Sequence, residues 1–403
     1  MQKKLVIVCL LNFLVAALMG LALRFSFIDS IGLNYRYLMH AHSHIAMLGW
    51  VYLMLYVFIV YYFVPEQKPI YNRFFWITQF AVIGMMLSFP FQGYAAISIS
   101  FSTLHILCSY YFVYLIWKHH KTTSTATSLL LKASLLFMVI STFGVWCLGP
   151  AVGLLGKASA FYQIAIQFFL HFQFNGWFLI AVITLFFHLI SVDYTKQFKL
   201  FFRLLIASTI LTLALPIHWF APHDLLLVSN TIGVILQLAA LYVFLKLIKP
   251  KQQQILHQNS KLSVYFYCFA ISCFILKILA QLLTIIPEFS EVVFTHRNFV
   301  IGFIHLLMLG VITGFLFAFI LKNKLVSFNS TLYIGSYTFL LGFVSTEIIL
   351  LIQGVKFYFG NGILSNYYLF LFISSILLPG GIILLLLNII KHKTHATKTI
   401  KTT

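Results

Sequence analysis

The chain has 403 residues, 62% of them apolar and 8% charged, against roughly 25% charged in ordinary soluble domains. That leaves too little polar surface for dispersal in water. A soluble enzyme, a disordered chain and a nucleic-acid-binding domain are excluded, and a polytopic all-α membrane bundle remains.

A membrane span takes about 20 apolar residues, and twelve such segments follow one another. Segment 1 (5–27) stands behind Lys3 and Lys4 as a signal peptide would. No clear small-residue cleavage site follows, so it is expected to be an uncleaved first helix. Segment 2 (37–64) comes just after Arg36 and carries His40, His42 and His44, then Gly49 and Trp50. His40 and His44 lie four apart and share a helix face, while His42 points roughly the other way. Three imidazoles within five residues exceed what packing needs, and imidazole is the commonest metal ligand. Segments 3 (70–89) and 4 (95–117, with His105) complete a first quartet. Segments 5 (128–149), 6 (160–190, with His171 and, at its inner end, His188), 7 (200–220, ending near His218) and 8 (224–247, after His223) form a second. Segments 9 (262–286, with Lys277), 10 (297–321, opening on Arg297 with His305), 11 (331–353, with Glu347) and 12 (364–390) form a third. The connections are short, so residues 1–403 read as one integral membrane domain, in quartets of roughly 1–120, 121–260 and 261–403.

The net charge of +19 follows from topology. Twenty of the 26 Lys and Arg fall in alternate connections and the termini, among them Lys3, Lys4, Lys68, Arg73, Lys199, Arg203, Lys251, Lys322 and the four Lys after residue 390. Arg24, Arg36, Lys157, Arg297 and Lys356 lie on the other side, and Lys277 lies inside a segment. This asymmetry predicts that both termini are cytoplasmic, in a bacterial inner membrane. It also turns histidine positions into depths. His119, His120, His257, His392 and His395 are then cytoplasmic. Nine others (His40, His42, His44, His105, His171, His218, His223, His296 and His305) share the outer half of the membrane. Ionisable groups at that depth are costly and are functional candidates by default. For His105, His188, His218 and His223 a hydrogen bond to a neighbouring helix is the simpler reading.

An internal repeat sharpens the pattern. His44 is followed five residues on by Gly49 and then Trp50, His171 by Gly176 and Trp177, and His305 by Gly310 and Val311. The repeat recurs at every fourth segment, so three equivalent helices can surround a common centre. Two axial imidazoles can hold a six-coordinate haem, and one leaves a position open to a gas. Gly49, Gly84, Gly176, Gly302, Gly310 and Gly314 suit either the shaved face a macrocycle needs or close helix packing. Arg36 and Arg297 suit haem propionates or interfacial anchoring. Lys277 and Glu347 suit a proton relay or an ion pair, and Lys277 also a propionate contact. Cys9, Cys108, Cys147, Cys268 and Cys273 form no C-x-x-C pair and no haem-attachment motif.

The stretch from His42 through Ser43, His44, Gly49, Trp50 and Val51 resembles the His-x-His-x-x-x-x-Gly-Trp-Val signature of C-type haem-copper oxidases. Segment 10, from Gly302 through His305 and Gly310 to Val311, is similar to a weaker version. The catalytic subunits of haem-copper oxidases and nitric-oxide reductases have twelve helices in three quartets, with metal ligands on helices 2, 6, 7 and 10. The resemblance implies a low-spin haem b held by His44 (or its neighbours His40 and His42) and His305. It implies copper or non-haem iron at His171, with His218 on the helix of a further ligand. It also implies quinol or a c-type cytochrome as electron donor, small accessory subunits, and reduction of oxygen or nitric oxide. Two positions depart from the family: its adjacent His-His on helix 7 is replaced by the stretch from His218 to His223, and its second helix-10 histidine by Phe303. The low-spin haem is therefore better supported than gas reduction. The histidine pattern also resembles that of NnrS-like membrane proteins, which implies a non-catalytic haem or copper protein of the nitric-oxide response. A third reading, from the charges alone, is a proton- or ion-coupled secondary transporter.

Overall fold

The structure is a computed structural model and describes residues 2–66 and 68–392. Lys393, Lys398, Lys401 and His395 of the basic tail lie outside the described residues. Twelve helices are long and apolar enough to cross a membrane: α1 (Lys3–Phe25), α2 (Tyr35–Phe63), α3 (Pro69–Gln92), α4 (Ala96–His119), α5 (Thr125–Leu155), α6 (Ala160–Leu189), α7 (Lys196–His218), α8 (Asp224–Gln258), α9 (Lys261–Leu283), α10 (Arg297–Lys322), α11 (Ser330–Tyr358) and α12 (Tyr367–Lys391). No strand occurs among the described residues. Side-chain oxygens cap the turn-to-helix junctions. Asn34 accepts from the Arg36 and Tyr37 amides, Ser159 from Tyr162, Thr195 from Phe198 and Ser260 from Ser263, which satisfies donors a helix start leaves open.

The helices agree with the expected segments to within a few residues, with four exceptions. The fifth runs on past Pro150 to Leu155, the eighth continues through a tight turn at Lys249–Lys251 to Gln258, and the eleventh extends to Tyr358. A short helix, Pro287–Thr295, fills the connection between α9 and α10. It begins with proline, whose missing amide costs nothing in a first turn, and it is too short to register as a span.

Burial sorts the twelve helices into a centre and a rim. The most apolar stretches of α2, α6 and α10 are 78%, 83% and 78% buried, whereas those of the other nine range from 33% to 56%. The histidine-bearing helices are thus enclosed by the rest. The rim closes where α1 packs along α12. At that closure the Lys3 ammonium donates to the Ile390 carbonyl at 3.1 Å, so the start of α1 and the end of α12 share one face of the bundle.

The centre is packed unevenly along its length. In the second halves of these helices every residue from Leu53 to Ile59, Leu179 to Phe187 and Gly314 to Leu321 is buried. Aromatic rings join the three: Phe58 to Phe319 at 5.6 Å and Phe186 to Phe315 at 5.1 Å in these halves, and Tyr52 to Trp177 at 6.2 Å just before them, between centroids. The first halves are looser. Only Leu38 and Ala41 are buried in Tyr35–His44, only Ala165 and His171 in Ala160–His171, and none in Arg297–His305.

Between the halves each central helix widens into a π-helical stretch: Ile45–Tyr52, Phe172–Phe178 and Leu306–Thr313. Each begins on the residue after the repeated histidine and contains the repeated glycine. Those glycines admit the helix that precedes in sequence. A methyl group on Gly49 would meet Asn12 of α1 at 3.1 Å, on Gly176 Phe137 of α5 at 2.6 Å, and on Gly310 Cys273 of α9 at 2.8 Å. The repeat is therefore one of three-dimensional structure as well as of sequence.

Candidate functional site: two histidine clusters on either side of α2

The three histidines of α2 divide between its two sides, as their spacing requires. The His44 ring lies 4.4 Å from that of Phe89, and the His40 ring 4.7 Å from that of Tyr94. His105 of α4 lies within electrostatic reach of His44, and its ring meets Tyr52 edge-on at 4.6 Å. His42 faces α1 instead. Its Nδ1 donates to the Ala16 carbonyl at 2.8 Å, and its ring covers Gly20, where a methyl group would stand 2.8 Å away. His305 of α10 shares electrostatic surroundings with His42 and Arg24. Glu347 of α11 adds a carboxylate whose Oε1 is 3.8 Å from His305 Nδ1. The side of α2 facing α1 and α10 thus gathers Arg24, His42, His305 and Glu347. The side facing α3 and α4 gathers His40, His44, His105 and Tyr94.

Hydrogen bonds decide which ring nitrogens remain available. A neutral imidazole carries hydrogen on one nitrogen and a lone pair on the other, and only the lone pair binds a metal. Among the described residues, His42 donates from Nδ1 and has no partner on Nε2. His305 turns Nδ1 toward a carboxylate, and among the described residues its Nε2 likewise has no partner. His44 donates from Nδ1 to the His40 carbonyl at 2.8 Å, but its Nε2 accepts from the Tyr94 hydroxyl at 3.3 Å. His171 spends Nε2 on the Thr209 carbonyl at 2.7 Å. His218 accepts the His223 amide on Nδ1 at 3.2 Å. His105 Nε2 is buried without a partner, but this ring lies on the other side of α2.

Of the three α2 histidines expected to pair with His305, His42 is the one that shares its electrostatic surroundings. Arg297 stands at the same mouth, its Nη2 3.0 Å from Met39 Sδ on α2. Arg36 is exposed one turn before His40 and within its electrostatic reach. Of the six glycines singled out in the sequence, five are filled by protein. Gly49, Gly176 and Gly310 hold the helix before them, Gly84 lies under the Phe101 ring, and Gly314 lies against Ala270. Close packing explains these five. A methyl group on Gly302 would meet only Glu347 Oε2 at 3.3 Å and Leu350 at 4.0 Å.

His42 and His305 offer the two imidazole donors that axial ligation of a haem takes. Two imidazoles from different helices present unbonded Nε2 atoms in the loosely packed half of the bundle. His305 is 26% exposed and Glu347 19%, although α10 is central. Around the residues named for a second metal, His171 donates from Nε2 to Thr209 and keeps its lone pair on Nδ1, His218 spends its Nδ1 lone pair on the His223 amide, and Lys277 lies within electrostatic reach of His171. Among the described residues no group of three or more His, Cys, Asp or Glu side chains is placed to hold a metal ion. A cavity of about 230 Å³, lined by Gln2, Leu5, Tyr56 and Lys68 among others, lies at the opposite face and contains none of the histidines.

Arg24 and Tyr94 did not stand out in the sequence. Arg24 looked like one of the few charges of the sparsely charged side, and Tyr94 lies in a connection. Lys277 did stand out: its side chain is fully buried, and its ammonium has no hydrogen-bond partner and lies 5.9 Å from the Phe303 ring centroid.

Comparison with known protein families matches none of them, and no curated protein is significantly similar to the chain.

Proposed function

We propose that this protein is a membrane haem protein of respiratory type, in a bacterial cytoplasmic membrane, that passes electrons through a haem held by His42 and His305. What supports the reading is the pairing of two unbonded Nε2 atoms on α2 and α10 beside the only carboxylate within the membrane-spanning core. Haem, when bound, supplies one-electron chemistry. The chain's own residues do the rest. The Ala16 carbonyl fixes the His42 tautomer. Arg297 and Arg36 stand where carboxylates at the mouth would meet a guanidinium fork. The aromatic second halves of α2, α6 and α10 seal the opposite side against water. Quinol or a c-type cytochrome is the expected donor. No oxygen- or nitric-oxide-reducing step is assigned: among the described residues no group of three or more His, Cys, Asp or Glu side chains is placed to hold a second metal.

The test is an optical spectrum of purified protein, reduced minus oxidised. Low-spin b-type bands are expected. They should vanish in His305→Ala and persist in His218→Ala, and equal loss from both variants removes the assignment. The unpartnered Lys277 and the Glu347–His305 pair favour ion-coupled transport as the second reading. A colourless, fully folded preparation decides for transport.

A further inference from the structure

We infer that Glu347 is the positioning residue of His305: its carboxylate accepts the Nδ1 hydrogen, fixes the ring's rotation and directs Nε2 into the space between α10 and α2. The inference rests on the haem reading. An imidazole that binds metal through one nitrogen needs an acceptor at the other. A carboxylate there fixes the tautomer and makes the ligating nitrogen more basic. Three other histidines use main-chain carbonyls for this: Ala16 for His42, His40 for His44 and Thr209 for His171. His305 has no such carbonyl. The polar atom facing its Nδ1 is Glu347 Oε1, at 3.8 Å, which is ion-pair range and longer than a hydrogen bond.

Three observations place Glu347 in this role. Of the chain's seven acidic residues, Asp29, Glu66, Asp193, Asp224, Glu288 and Glu291 lie in connections or at helix starts, and only Glu347 lies within the membrane-spanning core. Its Oε1 is buried and has no hydrogen-bond partner, a costly state that a bond from His305 would relieve. The carboxylate can approach because the helix turn before His305 carries Gly302, so that only a hydrogen faces Oε2 where any side chain would crowd it. Arg24 lies within electrostatic reach of Glu347 and offsets its charge, so the carboxylate can stay on the ring side of α11.

The experiment measures haem content, reduction potential and low-spin electron-paramagnetic-resonance spectra of the full-length protein and its Glu347→Gln, Glu347→Leu and Glu347→Asp variants. Haem should remain in all of them. The potential should rise in Gln and Leu as the ligating nitrogen loses basicity, the g-value spread should change, and Asp should fall between Gln and the parent. Potentials and spectra identical to the parent overturn the inference while leaving the haem reading intact. A parent protein without haem overturns both. If the Glu347 variants do not accumulate, His305→Ala supplied with free imidazole or 1-methylimidazole gives the same decision with Glu347 in place. Only imidazole carries an N–H for the carboxylate, so imidazole should restore the parent potential and 1-methylimidazole should give a higher one. Equal potentials overturn the inference.

Discussion

At the scale of single residues, two positions along a helix amount to a rotation of about 200°, and that rotation separates His42 from His44. His42→Ala should therefore abolish the low-spin haem bands. His44→Ala should keep them and lose only the hydrogen bonds to the His40 carbonyl and from Tyr94. The reverse result in the reduced-minus-oxidised spectrum returns the ligand role to His44. Lys277 makes a second prediction. An amine enclosed with only the Phe303 ring beside it lowers stability, because that contact repays little of its desolvation. Lys277→Met keeps the length of the side chain and removes the charge. A thermal melt of the detergent-solubilised variant should show a gain on the order of 1 kcal/mol or more. An unchanged or lower melting temperature would mean that the amine is compensated. The sequence made the imidazoles visible as candidates because they are rare and costly at that depth. It left their tautomers unreadable, since these depend on carbonyls of other helices: Ala16 on α1 for His42 and Thr209 on α7 for His171.

At the scale of helices, twelve spans and their order were legible because each is an apolar run of bilayer length. The π-helical stretches were not. The pattern of apolar residues around them does not change period over so few residues, and the widened turns are held by partners distant in sequence. Asn12 of α1 donates to the Gly49 carbonyl at 2.9 Å, Ser141 of α5 donates to Gln173 on α6 at 2.9 Å, and Trp50 of α2 donates to Thr313 on α10 at 2.9 Å. The Thr313 hydroxyl in turn donates to Met308, five residues back, at 2.8 Å. Widened turns of this kind often mark functional positions in helices, and here they follow directly on the three repeated histidines. The glycines give the test at this scale. In Gly381→Ala the new methyl would stand 2.6 Å from the Phe339 amide nitrogen and 2.8 Å from the Gly335 carbonyl. Both are backbone atoms, so α11 and α12 must separate, at a cost of roughly 1–3 kcal/mol for overpacking. In Gly149→Ala nothing lies within 4 Å of the methyl, and helix propensity favours alanine. Thermal melts should therefore show the first variant destabilised and the second unchanged or slightly more stable. Comparable losses in both would mean that the α11–α12 contact is not as close as described.

At the scale of the molecule, three quartets related by the repeat place one central helix each, and the bundle has two unlike faces. One holds both described chain ends, with Lys3 bonded to Ile390, and most of the positive charge. The other holds the starts of α2, α6 and α10 and the histidine clusters. Which face meets the cytoplasm decides the chemistry available to the site, because electron donors and protons differ between the compartments. Charge predicts the orientation: among the described residues 17 cationic residues belong to the first face and five to the second, and basic connections are retained on the cytoplasmic side. In a background with its five cysteines replaced, Lys157→Cys, between α5 and α6, should react with a membrane-impermeant thiol reagent on intact cells. Lys251→Cys, at the tight turn near the end of α8, should react only after the membrane is opened. The reverse labelling would put the histidine clusters at the cytoplasmic side, where a periplasmic c-type cytochrome could not reach them, and would leave quinol as the only donor of the two proposed.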